Sequence, residues 1–135
     1  MKLNPYLHFN GNAEEAIQFY ATALNGNVER LGRYGESPVE IDEDWKQKII
    51  HGRLVFNDNV LMISDAFKGQ PVSKGGNIML NITVENTSQL ETVFNNMAEG
   101  GQVTMALQDT FWGARFGMLK DKFDVHWMFT CELDK

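Results

Sequence analysis

The sequence predicts an α+β chain of two βαβββ modules, whose strands form a curved mixed sheet with the helices outside. Three observations carry this reading. The order strand, amphipathic helix, three further strands occurs twice along the 135 residues. Both helix patterns end on a turn pair, Asn25-Gly26 and Gly100-Gly101. A glycine-rich segment, Gly69 to Gly76, stands between the halves.

In the first half, residues 5–9 (Pro-Tyr-Leu-His-Phe) read as a short strand. Asn12 is placed to cap a helix, with Glu15 at capping-box spacing. Ala13, Ala16, Ile17, Tyr20 and Leu24 recur three and four residues apart, which gives the helix one apolar face. Strands follow at about 27–34, 49–56 and 59–65, and Asn57-Asp58-Asn59 is turn chemistry that joins the last two. The acidic stretch 36–46 reads as a solvated loop.

The second half repeats the order. Residues 77–84 have high β-propensity. Ser88 and Glu91 have capping-box spacing. Leu90, Val93, Phe94 and Met97 line one helix face. Strands follow at about 102–107, 115–120 and 125–132. A half of about 60 residues with one helix is hard to stabilise alone. The expected organisation is therefore one domain over 1–135, with module 1 at about 1–68, a linker at 69–76 and module 2 at about 77–135.

Composition excludes some functions. Hydrophobic residues make up 43% and charged residues 22%, as in an ordinary globular chain. Twelve Lys and Arg stand against eighteen Asp and Glu, for a net charge of −6. A general nucleic-acid binder needs a basic face, so no nucleic-acid partner is expected, although a local pocket for a small anion is compatible with this charge. The one cysteine, Cys131, forms no intramolecular disulfide or zinc finger. The N-terminus has no apolar core of signal-peptide length, and no apolar run approaches the ~18 residues of a membrane helix. A cytoplasmic protein without membrane contact is expected.

Several stretches resemble one family. They are Pro5-Tyr6-Leu7, Phe9 through Ile17, Phe19-Tyr20, Met62-Ile63-Ser64-Asp65, Asp109 through Gly117, Asp121-Lys122-Phe123 and Trp127-Met128. Together they are similar to the PhnB-like branch of the vicinal oxygen chelate superfamily, which includes glyoxalases, ring-cleaving dioxygenases and fosfomycin-resistance proteins. The resemblance covers nearly the whole chain, and its most specific run is Asp109–Gly117. It implies glyoxalase-like βαβββ half-barrels. It also implies a divalent metal, usually held by His, Gln and Glu, that acts as a Lewis acid on vicinal substrate oxygens.

Alignment on Gly11 and Phe19-Tyr20 puts the implied ligand positions on Pro5, near Met62, on Asn77 and on Met128. Proline has no donor atom, and a thioether does not suit magnesium, manganese or hydrolytic zinc. A shift of one residue reaches Tyr6, Ile63, Ile78 and Trp127, which are no better. No cofactor is therefore expected, and a divalent metal is disfavoured.

Strand alternation sorts the polar groups that remain. If Asn77 faces a cavity, so do Met79 and Asn81. Met128 brings His126 and Thr130, and Met62 brings Ser64. Leu7 shares the face of Pro5, so His8 is expected to point the other way. His51 shares a face with Arg53. His51 and His126 are the candidates for acid/base catalysis, weighed against plain structural and surface roles.

Arg115 sits among aromatics, where it could clamp a carboxylate or phosphonate. The competing role is to brace its loop through Asp109, with Trp112 at a dimer contact. Met62, Met79, Met105, Met118 and Met128 read first as core filling, and second as a soft-metal site or plastic ligand pocket. Cys131 has no partner motif and reads as a passive thiol. The 69–76 segment lacks the strand-to-helix context of a phosphate loop.

The leading expectation is a PhnB-like protein that binds a small molecule, an anion being one option, in the sheet cavity without the superfamily's usual metal. The lining would be Met62, Asn77, Met79, Trp112, Arg115 and Met128, with His126 alongside. The alternative is a metal-dependent lyase, isomerase or dioxygenase with relocated ligands, such as His51, His126 and Asp65 or Asp109. A third reading is an interaction module with a vestigial cavity. The sequence leaves catalysis itself open. A homodimer is expected, because half-barrels of this superfamily commonly complete their sites by pairing and isologous dimers are the commonest soluble oligomer.

Overall fold

The computed structural model describes residues 1–133. It divides into two compact units: unit 1 is Met1–Ser73, and unit 2 begins at Lys74. The boundary lies inside the glycine-rich segment.

Unit 1 runs β1 (Tyr6–Phe9), α1 (Ala13–Ala23), β2 (Asn27–Arg33), β3 (Ile49–Phe56) and β4 (Asn59–Asp65). Its four strands pair in the order β1-β4-β3-β2. The β1–β4 pair is parallel and the other two are antiparallel. Unit 2 runs β5 (Leu80–Val84), α2 (Thr87–Ala98), β6 (Gln102–Asp109), β7 (Ala114–Lys120) and β8 (His126–Glu132). Its order is β5-β8-β7-β6, again with the first pair parallel. The βαβββ repeat is thus present, and each unit carries its own four-stranded mixed sheet.

The same device seats the helix in each unit. A Cβ on Gly52 of β3 would lie 3.0 Å from Ile17 Cδ1 of α1. A Cβ on Gly117 of β7 would lie 2.9 Å from Phe94 Cε2 of α2 and 2.8 Å from Leu107 Cδ2. Glycine at these two places lets the helix approach the sheet. Around them lie the cores: Ile17, Tyr20, Leu54, Leu61 and Ile63 in unit 1, and Leu90, Phe94, Leu119, Trp127 and Phe129 in unit 2, all buried.

Both expected helix caps are corrected. Asn12 precedes α1 but makes no capping hydrogen bond with its side chain. The buried carboxylate of Asp65, at the end of β4, does that work. Its Oδ1 accepts from the Gly11 and Ala13 N–H groups and its Oδ2 from Ile49 N–H, each at 2.9 Å. A full charge held against three backbone donors outcompetes a neutral amide at a helix start, where orphan N–H groups are concentrated. At α2 the cap is Asn86, whose side chain accepts from Gln89 N–H at 2.8 Å, and Ser88 lies inside the helix.

Two boundaries also move. β5 begins at Leu80, so Asn77 lies before the strand in a bend. The acidic stretch between β2 and β3 is more than a solvated loop. It holds 3-10 turns at Tyr34–Glu36 and Glu43–Trp45. Trp45 Nε1 donates to the Ala66 carbonyl, the Tyr34 hydroxyl donates to the Asp65 carbonyl, and Lys68 pairs with Asp42 and Asp44.

Candidate functional site

Helix and sheet bury one face of each sheet and leave the other without a helix. Register decides which side chains line the helix-free face. In unit 1, Leu7, Ile63 and Gly52 form one row on the α1 side. The neighbouring rows therefore point away from α1. One runs His8–Ser64–His51–Gly32 across β1, β4, β3 and β2. The strand pairing puts Ser64 beside His51, since Gly52 pairs with Ile63 and Arg53 with Met62. The other row runs Tyr6–Met62–Arg53–Arg30.

These groups bind one another. His8 Nδ1 and Ser64 Oγ are hydrogen bonded at 2.9 Å. Tyr6 Oη and His51 Nδ1 are hydrogen bonded at 2.8 Å, across the intervening β4. The Tyr6 and His8 rings stack with centroids 4.8 Å apart and planes 6° from parallel. Arg53 Nε donates to Glu29 at 3.1 Å. Two imidazoles and a phenol thus share one accessible face, with the buried Ser64 hydroxyl bonded to His8. Such groups can donate, accept and relay protons to a bound molecule.

In unit 2 the helix side holds Gly117, Phe129 and Ile82 in one row. The helix-free rows are Asn81–Met128–Met118–Met105 and Thr83–Thr130–Phe116–Gln108. His126 pairs with Lys120 on the same face. Met118 and Met128 are half-buried and Met105 is exposed, so this methionine row is partly open to solvent and does not fill the helix-side core. Polarisable, unbranched thioethers make a face that adapts to varied ligands.

Several expected site residues are relocated. His8, expected to point away, is on the same face as Met62, Ser64 and His51. The alternation had been anchored on Pro5, which precedes β1. The parity was legible in the apolar pair Leu7 and Phe9, against Tyr6 and His8. Met62, Met128 and His126 stand on helix-free faces, in their separate units. Asn77 is exposed and outside any strand, and Met79 immediately precedes β5.

Arg115 and Trp112 do not form one clamp. Arg115 pairs with Cys131 on the α2 side of the sheet. Its Nε donates to Asp109 at 2.8 Å and its Nη1 reaches Glu91 of α2 at 3.5 Å. The Asp109 hydrogen bond holds the Arg115 guanidinium above its ordinary pKa and the Asp109 carboxyl below its own. Trp112, 58% exposed in the β6–β7 turn, leans edge-on against Phe116 of the opposite face. An odd-numbered and an even-numbered position on one strand cannot share a face.

The positions that the resemblance implies for the superfamily's metal carry no set of hard donors. Met62 and Met128 offer only soft sulfur, Asn77 lies off the strand, and Pro5 has no donor. Among the described residues no three His, Cys, Asp or Glu side chains come together. Asp65 is committed to three backbone donors, and Asp109 to Arg115.

Comparison with known proteins agrees with this architecture. A family model described as 3-demethylubiquinone-9 3-methyltransferase matches residues 1–130. A putative protein of that description from Bacillus cereus, a PhnB protein, is 26% identical with a TM-score of 0.81, over 97% of this chain and 99% of its own. The chain belongs to the PhnB-like family. Protein PA1353 from Pseudomonas aeruginosa is 42% identical with a TM-score of 0.90, over 99% of both chains. A glyoxylase/bleomycin resistance protein/dioxygenase domain from Frankia shares the fold at 11% identity, with a TM-score of 0.72 over 99% of this chain and 93% of its own. The PhnB-like chain thus has two modules of glyoxalase-like fold, with methionine, tyrosine and histidine on its helix-free faces. Among the described residues no helix is long and apolar enough to cross a membrane.

Proposed function

We propose that this PhnB-like protein binds a small, anionic molecule on the helix-free face of its sheet, without a hard divalent metal. The observation that carries the reading is the Tyr6–His8–His51–Ser64 cluster. Tyr6, His8 and His51 are reached by water, where stability alone does not require the phenol–imidazole bond, while the buried Ser64 hydroxyl is satisfied by His8. A thermal-shift screen of small organic acids, with and without chelator, tests it. A ligand of the folded state raises the melting temperature. The expected hit persists in chelator and weakens in His51→Ala. A screen without hits, or hits abolished by chelator, overturns the reading.

One observation favours the metal-dependent alternative: His8 and His51 share a row of the same face. Metal analysis separates the two. Protein purified without added metal is expected to hold far less than one divalent ion per chain. Stoichiometric metal that survives dialysis promotes a lyase, isomerase or dioxygenase with relocated ligands. We also propose a homodimer in the cytoplasm. Phe111, 97% exposed, and Trp112 form an apolar tip that pairing would cover. Light scattering is expected to give about twice 15.4 kDa, and a monomer at micromolar concentration contradicts this.

A further inference from the structure

We propose that a groove along β2 of unit 1 is the subsite for the ligand's oxyanion, a carboxylate or a phosphonate, with Arg30 and Ser37 as its binding side chains. The proposal rests on the ligand-binding reading above and locates the anionic end. The groove has a volume of about 340 Å³ and lies among Arg30, Gly32, Arg33, Glu36, Ser37 and Ile50.

Three independent features point to an anion there. The first is an uncommitted cation. Arg33 is spent on both carboxylate oxygens of Glu14 and on the Gln47 carbonyl. Arg53 is spent on Glu29. Arg30 makes no ion pair or hydrogen bond among the described residues, and it stands directly across from Arg53 in the β2–β3 pair. A guanidinium offers a planar fork to a carboxylate or phosphonate.

The second feature is an unsatisfied donor. The Ser37 hydroxyl oxygen is buried and has no hydrogen-bond partner. Buried polar atoms in native proteins are nearly always partnered. Ser37 lines the groove, where an occupant's oxygen would supply the missing partner.

The third feature is a gap. Gly32 stands between Arg30 and the imidazole row, paired with His51. Gly32 itself lines the groove, and His51 lies just beyond the groove's lining. A Cβ at Gly32 meets only the His51 carbonyl at 3.5 Å and Ile50 Cγ2 at 3.7 Å, which is ordinary contact. A ligand with its anionic head at Arg30 would therefore extend its body over Gly32 toward His51 and Tyr6. Glu36 also lines the groove, its Oε1 accepting from Arg33 N–H at 2.6 Å. Its charge favours a singly charged head over a doubly charged one.

Titration of the full chain with acetate and with methylphosphonate, at fixed ionic strength and followed by calorimetry, tests the subsite. Wild type is expected to bind at least one probe saturably, and the stronger probe names the head group. Arg30→Gln is expected to lose about tenfold or more in affinity, the usual effect of removing a charge-assisted hydrogen bond. Gly32→Val fills the groove and is expected to abolish binding while the far-UV circular dichroism is unchanged. Ser37→Ala is expected to weaken binding several-fold without lowering the melting temperature of the free protein, because its hydroxyl has no partner to lose. Lys68→Gln, with the same change in net charge, is expected to bind as wild type does. Equal losses in Lys68→Gln and Arg30→Gln reduce the effect to general electrostatics and overturn the subsite. Absence of saturable binding at millimolar probe also overturns it. Binding that survives Arg30→Gln and Gly32→Val but is lost in His51→Ala overturns the subsite alone and leaves the ligand-binding reading standing.

Discussion

Tyr6 Oη lies 2.8 Å from His51 Nδ1, so a side chain from β1 reaches over the whole of β4 to one from β3. The bond ties together the two strands that flank β4, on the face that carries no helix. A link of this kind adds little to stability, because both partners are reached by water. Tyr6→Phe is expected to change unfolding free energy by less than about 1 kcal/mol. It is expected to weaken binding of a screening hit, which isothermal calorimetry measures. A large stability loss with unchanged affinity would make the pair structural.

Asp65 is the reverse case, a charge kept for the fold. One carboxylate joins the end of β4 to the start of α1 and the start of β3 through three N–H donors. Asp65→Asn replaces one accepting oxygen by an amide that faces a donor. Each hydrogen bond to a charged group contributes about 1.5–3 kcal/mol, so a loss of at least that size is expected in urea unfolding. A loss below about 0.5 kcal/mol contradicts this role.

Gly117 and Gly52 occupy the same place in their units, beside Phe129 and Ile63 in the central strand pairs. Gly117→Val would drive a branched side chain into Phe94 and Leu107. Overpacking typically costs about 1–3 kcal/mol, and the melting temperature is expected to fall accordingly. Gly32→Val, on the helix-free face, is expected to leave it nearly unchanged. The contrast checks the assignment of faces directly.

Acid is expected to loosen the surface clasps. Glu14, Asp44, Asp109 and Asp124 all titrate below their ordinary values, chiefly because they accept hydrogen bonds from Arg33, Lys68, Arg115 and Lys74 respectively. A carboxyl whose native pKa is depressed contributes stability that is present above its ordinary value of about 4. That contribution is lost as pH falls through the depressed native value. Melting temperature is therefore expected to hold from neutrality to about pH 5 and to fall below about pH 4. Arg115→Ala removes the Asp109 share of this slope and is expected to leave probe affinity unchanged. Lost affinity in that variant would restore the clamp.

Much of the fold was legible because it is written locally. Ala13, Ala16, Ile17 and Tyr20, and then Leu90, Phe94 and Met97, mark helix faces by spacing alone, and the duplicated order gave the two modules. The α1 cap was not legible, since Asp65 acts on Gly11 across 54 residues, whereas the α2 cap is local and falls on Asn86, two residues before Ser88. Site residues fared according to parity. Alternation places Met62, Ser64, His126 and Met128 on helix-free faces, as the register does. His8 was lost to a strand anchored one residue early, and Arg115 was grouped with Trp112 by adjacency although their faces differ. Arg30 carried no motif. Among the described residues, the pairing of Arg33, Arg53 and Arg115 with carboxylates leaves it as the uncommitted guanidinium.

The central claim is that the helix-free face of unit 1, and not the Asp109–Gly117 run, is the ligand surface. A titration of isotope-labelled protein with methylphosphonate, followed amide by amide in nitrogen–proton correlation spectra, tests it most directly. The account predicts saturable shifts at Arg30 through Ser37, His51 and Ser64, with Asp109 through Arg115 unmoved. Shifts confined to Asp109–Gly117, or none at saturating probe, would contradict it.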